Sequence, residues 1–144
     1  MDAMRGEIAE LTLRAGSATP ADAVFLLTSA LALLASMGAL SALAYSRRSS
    51  ALLKLNRVTA ALADAEAALE INPDCAAALL NRGSARRCLG MYEAAHCDIC
   101  AAQSLDFMTA NQKLILELAP FVEAERRGEE GRKRRNSEVR AERL

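Results

Sequence analysis

The sequence predicts an all-α fold made of repeated antiparallel helix pairs, and three observations lead there. Residues 48–71 recur as residues 82–105 at a spacing of 34, with nine identities in 24 aligned positions. Apolar residues make up 52% of the chain, largely Ala and Leu, while aromatics are only 3% and β-branched residues are sparse. That composition favours helix and disfavours sheet. Helix breaks fall at Gly16-Ser17-Ala18-Thr19-Pro20, at Gly38 and at Asn72-Pro73-Asp74, so the apolar runs between them have helical length.

The identities at the 34-residue spacing are Arg48/Arg82, Ser50/Ser84, Ala51/Ala85, Leu55/Leu89, Ala60/Ala94, Ala61/Ala95, Asp64/Asp98, Ala67/Ala101 and Ala68/Ala102. Five of the nine are alanine in an alanine-rich chain, so the kinds of residue matter more than the count. Each unit has a small residue in its first half (Ser49, Gly83) and a bulky one nine positions later (Val58, Tyr92), followed by the alanines. Small residues let two helices approach closely, and Pro73 ends a second helix before the next unit begins. A 34-residue period of this kind is the tetratricopeptide (TPR) signature. The predicted fold is a TPR-type antiparallel helix-pair solenoid with a C-terminal capping helix and a charged tail.

The elements follow in order. Residues 3–15 read as a helix with Ile8 and Leu11 on one side. Thr19 is placed to cap the next helix and Pro20 suits its first turn, giving a helix over 20–36. Further helices are expected over 40–55, 58–71, 76–89, 92–104 and 109–127, the last kinked at Pro120. Residues 1–41 form a degenerate first unit with about four extra residues around 34–40 and no Asn-Pro ending. Residues 42–75 and 76–109 are the two clear units, 110–127 the capping helix, and 128–144 a charged tail expected to be disordered beyond Gly128 and Gly131.

Ala23–Tyr45 is a stretch of 23 uncharged residues followed by Arg47-Arg48. Its length would span a bilayer. Its small residues make it only moderately apolar, and the repeat claims Ser41–Leu55 as a first helix. Two buried helices joined near Gly38 are the preferred reading, and a membrane segment over 23–45 the alternative.

Net charge is zero over 144 residues, so the whole chain has no bias toward nucleic acid or membrane. The distribution is uneven, since residues 126–143 hold eight Lys/Arg and four Glu. Arg132-Lys133-Arg134-Arg135 matches a nuclear-import or RNA-touching run, and Arg134-Arg135-Asn136-Ser137 a basophilic kinase motif; a solvating tail is the plainer reading of both. Cysteines stand at 75, 88, 97 and 100. With acidic residues near the N-terminus and no secretory signal there, a reduced, cytoplasmic protein is expected. Cys97-x-x-Cys100 beside His96 lies in mid-helix without a second such pair, which supports packing better than metal or redox chemistry. There is one histidine, no Gly-rich phosphate loop and no catalytic constellation, so neither an enzyme nor a cofactor is expected.

Leu69-Glu70-Ile71-Asn72-Pro73-Asp74, Arg82-Gly83, Leu89-Gly90, Glu93-Ala94-Ala95, Asp98 and Leu105-Asp106-Phe107 resemble the central TPR units of the Hip cochaperone family. Tyr45, Arg48 and Lys54-Leu55 fit the helix before them, Pro120 fits a proline of the family's capping helix, and the Arg/Glu-rich tail resembles its charged extension. The resemblance is good over 45–107, weak over 16–37 and absent before. The dimerisation segment that precedes the repeats in the family and its C-terminal domain with Gly-Met-Pro-rich repeats have no counterpart, and Gly128 and Gly131 interrupt the charged helix. These departures suit a truncated or diverged relative.

The resemblance implies a noncatalytic cochaperone that contacts the nucleotide-binding domain of a 70-kDa heat-shock chaperone and slows its nucleotide exchange. Stacked helix pairs form a groove lined by the first helix of each unit. Its candidates are Arg47, Ser50, Lys54, Asn81, Ser84 and Arg87, with Arg126, Arg127 and Lys133 adding charge from the flanking segment. One TPR subclass grips a chaperone's C-terminal carboxylate with Lys and Asn side chains. At the matching positions stand Arg47 and Ala77, so that clamp is expected to be absent. The alternatives are a generic TPR scaffold for another partner and a membrane-anchored TPR protein. No nucleic-acid partner, metal or oligomeric state is implied.

Overall fold

Two residues spaced 34 apart hold equivalent places in successive helix pairs, and the chain folds on that unit. The computed structural model describes residues 2–106 and 109–143. Among them are seven helices and no strand: α1 (Asp2–Ser17), α2 (Pro20–Ser36), α3 (Ala42–Lys54), α4 (Val58–Ile71), α5 (Ala76–Cys88), α6 (Tyr92–Leu105) and α7 (Thr109–Glu142). Each helix packs against its chain neighbours, and α3 also meets α5, the first helix of the next unit. This nearest-neighbour stacking is the geometry of a solenoid.

The helix ends follow local chemistry. Thr19 caps α2, accepting the amide of Asp22 at 3.3 Å, and its hydroxyl donates to the Asp22 carboxylate at 2.7 Å. Pro20 occupies the first turn, where its missing N–H costs nothing. Ser41 caps α3 through the amide of Ala44. Asn72 ends α4, and its side chain accepts the amide of Asp74 in the turn around Pro73. After α3 and α5 the chain reverses through left-handed residues at equivalent positions, Asn56 (φ 58°) and Gly90 (φ 76°). Gly is indifferent to that region and Asn tolerates it best among the rest.

The four extra residues of the first unit are visible. α2 has 17 residues against 14 in α4, and the α2–α3 connection is one residue longer than the α4–α5 connection. Gly38, at φ 66°, turns that connection. The uncharged 23–45 stretch is thereby divided between α2 and α3, and no described helix is long and apolar enough to cross a membrane. The break at 37–41 leaves a 17-residue helix whose Ala23, Leu27, Ala30 and Leu31 are buried against protein.

The core is a chain of small clusters, each shared by consecutive helices. Ala15, Ala23, Leu27 and Ala51 join α1, α2 and α3. Ala68, Leu69, Ala78, Leu79 and Ala102 join α4, α5 and α6. Ala95, Ile99, Leu118 and Val122 join α6 and α7. Among the described residues Leu27, Ile99 and Leu118 are the large side chains fully buried, each contributing about 1.5–3 kcal/mol. Alanine at the crossings, above all Ala61 and Ala95 with no exposed surface, allows the close approach that the repeat demanded.

The tail departs from expectation. α7 runs without interruption through Pro120, Gly128 and Gly131 to Glu142. Pro120 removes one amide donor, yet Leu118 and Val122 on either side of it are anchored in the core. Each interior glycine costs about 1 kcal/mol, which the surrounding Glu, Arg and Lys residues, good helix formers with Arg127 paired to Glu123, offset. The helix is about 51 Å long, and residues 132–143 are exposed on every side. Phe107, the last residue of the Leu-Asp-Phe motif, lies outside the described residues.

Candidate functional site

Two clefts open beside the first helices of the units and the capping helix α7. One lies between α1 and α3: a floor of Ala15, Ala23, Leu27 and Ala51, with Arg47, Ser50 and Lys54 at its edge and a volume of about 270 Å³. The other lies between α5 and α7: Ser84, Arg87 and Cys88 on one side, Glu117, Leu118 and Phe121 on the other, with Tyr92 at its end and a volume of about 690 Å³. Ser50 and Ser84 are repeat equivalents, so the same helical position serves both clefts.

Five of the nine candidate residues are thus brought to the clefts: Arg47, Ser50 and Lys54 in one, Ser84 and Arg87 in the other. Asn81 lines neither cleft. It is half-buried, and its Nδ2 donates to the carbonyl of Ser46 at 2.8 Å, tying α5 to α3 between the two clefts. Arg126 pairs with Glu93 at 2.9 Å, Arg127 pairs with Glu123 one turn earlier in α7, and Lys133 stands farther out on the helical extension. Arg47 is exposed, as is Ala77 on α5, so the clamp positions present one guanidinium and one methyl group.

Sequence reasoning missed the aromatic part of the larger cleft. Tyr92 stacks on Phe121, ring centres 5.0 Å apart and planes 25° from parallel, and Phe121 keeps 51% of its surface exposed. Only the folding of α7 back across α5 and α6 unites residues 29 apart. It also missed what holds α7 there. Glu125 accepts the amide of Glu93 at 2.7 Å, the second residue of α6, whose own preceding residue Met91 offers no cap. A carboxylate is well placed at that end of a helix dipole.

A second omission was legible in the repeat. Arg48 and Asp64, and their equivalents Arg82 and Asp98, form bidentate pairs: 2.6 and 2.7 Å in the first, 3.0 and 2.6 Å in the second. Both carboxylates are buried, and Arg86 adds a third contact to Asp98 at 2.8 Å. The hydrogen bond to Asp64 raises the Arg48 guanidinium above its ordinary pKa, against the opposing effect of burial. Arg48 also reaches Thr28 of α2, and Arg86 approaches Glu66 of α4 at 4.0 Å. Each arginine cluster therefore braces a second helix to the pair that follows. With Arg48 committed in this way, its neighbour Arg47 is the one presented to the cleft.

The Cys-x-x-Cys pair lies on α6. Cys97 is exposed and Cys100 half-buried, its Sγ 3.8 Å from both ring nitrogens of His96. Burial pushes the Cys100 thiol up, and neighbouring Cys97 adds to this, so its reactive thiolate is disfavoured. Among the described residues no group of three or more His, Cys, Asp or Glu side chains could hold a metal ion.

No protein-family model matches the chain. Hsc70-interacting proteins 1 and 2 of Drosophila melanogaster are each 40% identical over 80 residues, covering 56% of this chain and 21% of each relative. The chain thus spans about a fifth of the length of those curated relatives. The TPR domain of Arabidopsis OM64 superposes with a TM-score of 0.70 at 25% identity, over 82% of this chain and 95% of that one. The first TPR of Spaghetti (RPAP3) bound to the HSP90 peptide SRMEEVD superposes with a TM-score of 0.72 at 18% identity, over 80% and 92% of the two chains, a likeness of fold. The helix pairs, the 34-residue period and these superpositions make the chain a tetratricopeptide-repeat protein. Over part of its length it is similar in sequence to the Hsc70-interacting proteins.

Proposed function

We propose that this chain is a noncatalytic interaction module that binds the nucleotide-binding domain of a 70-kDa heat-shock chaperone through the clefts beside α1, α3, α5 and α7. The observation that carries the reading is the placement of Arg47, Ser50 and Lys54 in one cleft and Ser84 and Arg87 in the other, in a chain 40% identical to Hsc70-interacting proteins over 80 residues. Cations over an apolar floor suit an acidic protein surface with apolar side chains. The basic end of α7, with Lys133, supplies longer-range attraction. Exposed charges act within about 8–10 Å at physiological salt, so they speed association more than they prolong the complex.

Binding to the isolated nucleotide-binding domain, followed kinetically across salt concentration, tests this. Arg47→Glu combined with Arg87→Glu should weaken binding at every salt concentration. Removing residues 128–144, which leaves the Glu125 and Arg126 contacts to α6, should slow association mainly at low salt. A double variant that binds like the parent would show that the groove is not the site. Failure of every form to bind would leave a scaffold for another partner as the reading.

A carboxylate clamp is the second mode to exclude, since a TPR of the same fold is seen with an HSP90 peptide. With Arg47 and Ala77 at the clamp positions, titration with an acidic C-terminal chaperone peptide should give no saturable binding that depends on its free carboxylate.

A further inference from the structure

The chain contains the sequence Arg-Arg-x-Ser twice, at Arg47-Arg48-Ser49-Ser50 and at Arg134-Arg135-Asn136-Ser137, and the fold treats the two copies oppositely. In the first, Arg48 is locked onto Asp64 by two hydrogen bonds. Ser49 is fully buried and donates to the carbonyl of Ala61 at 2.7 Å. Ser50 is half-buried on a helix packed against α2, α4 and α5. Drawing this segment into an extended conformation would require the centre of the solenoid to unfold. In the second, all four residues are exposed. The Ser137 hydroxyl has only a local bond, to the carbonyl of Arg134 at 2.9 Å. The segment lies in the last turns of α7, which extend past the core and open at little cost because no tertiary packing is lost.

We propose that Ser137 is a phosphorylation site for a basophilic serine kinase, and that Ser50, in the same motif, is protected by the fold. The kinase's acidic pockets would take the Arg134 and Arg135 guanidinium groups as charge-assisted hydrogen-bond donors. The γ-phosphoryl group of Mg-ATP passes to the Ser137 oxygen. Its bond to the ADP leaving group breaks as the new O–P bond forms, and the hydroxyl proton goes to the kinase's catalytic aspartate.

The product has a defined place in the molecule. When α7 re-forms, a phosphate on Ser137 lies on the helix face of Lys133 and Arg134, one turn before it, and Arg140, one turn after it, positions that meet on a helix. Residues 126–143 carry a net charge of +4 from eight Lys/Arg and four Glu, and a phosphate brings about −1.5 to −2 at pH 7. Modification therefore roughly halves the positive charge of the extension and leaves the clefts untouched.

The test uses the full native chain with Mg-ATP and the catalytic subunit of cyclic-AMP-dependent protein kinase, read by intact mass and by tandem mass spectrometry. One phosphate per chain is expected, on Ser137. Ser137→Ala should abolish it, Ser50→Ala should leave it unchanged, and Arg134→Ala with Arg135→Ala should lower the initial rate by roughly tenfold or more. Phosphate on Ser50 of the folded chain would overturn the proposal. So would no incorporation while a standard substrate peptide in the same tube is labelled.

Discussion

A Cβ atom added to Gly83 would come within 2.8 Å of Cγ1 of Ile99 and 3.2 Å of the Ala95 carbonyl oxygen, so α5 and α6 touch at a distance only glycine permits. The preceding unit solves the same crossing differently. It places Ser49 where Gly83 stands and Ala65 where Ile99 stands, and the Ser49 hydroxyl spans the gap to Ala61. The volume lost on one helix is regained on the other. Gly83→Ser alone should therefore cost about 1–3 kcal/mol by overpacking. Combined with Ile99→Ala it should cost clearly less than the two single changes added together, with a coupling above about 0.5 kcal/mol. Urea unfolding of the four chains measures it, and strict additivity would contradict this packing.

Asp98 neutralises two arginines, Arg82 and Arg86, whereas Asp64 neutralises Arg48 alone. Asp98→Asn leaves two guanidinium groups facing each other with no anion between them. It should destabilise by about 2 kcal/mol, held below the range for wholly buried pairs because each arginine keeps about a fifth of its side chain in water. Asp64→Asn should cost less. Equal losses in thermal unfolding would show that Arg86 contributes nothing to the brace.

Glycine-to-alanine substitution should have opposite signs at two places. Gly90 sits at φ 76° with open space around its missing side chain, so Gly90→Ala suffers only backbone strain, about 1–2 kcal/mol. Gly128 lies within α7, also with nothing near it. There alanine should raise helicity, with a gain of up to about 1 kcal/mol. Asn56→Gly, at the repeat equivalent of Gly90, should be close to neutral. Circular dichroism at 222 nm together with the unfolding midpoint reads all three; a stabilising Gly90→Ala would be incompatible with the left-handed turn.

Glu125→Ala removes the carboxylate that caps α6 from 32 residues away. The expected loss is about 1 kcal/mol, the value of a helix N-cap. Hydrogen exchange localises it: amides at residues 92–95 should exchange faster, while those of α3 and α4 keep their protection. Unchanged exchange at the start of α6 would mean that the contact is not maintained in solution.

The sequence by itself determined the repeat unit, and with it the helices and their crossings. Period and breaker residues are local properties: Thr19-Pro20 starts a helix, Asn72-Pro73 ends one, and the small residues at 49, 61, 83 and 95 announce close approach wherever the helices meet. The 34-residue identities even contained the Arg48–Asp64 and Arg82–Asp98 pairs, since residues 16 apart on the two helices of a unit recurred together. Two things escaped local reading. The fate of the tail depended on a sum: two glycines weaken α7, but propensity, neighbouring charges and the anchoring of Leu118 and Val122 carry it on to Glu142. The exposure of chemically similar residues was the other. Arg47 and Arg48 are adjacent and identical in kind, yet one faces a cleft and the other is held by Asp64; Ser50 and Ser137 share a motif, yet one is enclosed and the other free. Asn81, the repeat equivalent of Arg47, reaches instead to the Ser46 carbonyl of α3. Only tertiary structure decides such cases, because a side chain's availability depends on which distant groups the fold sets beside it.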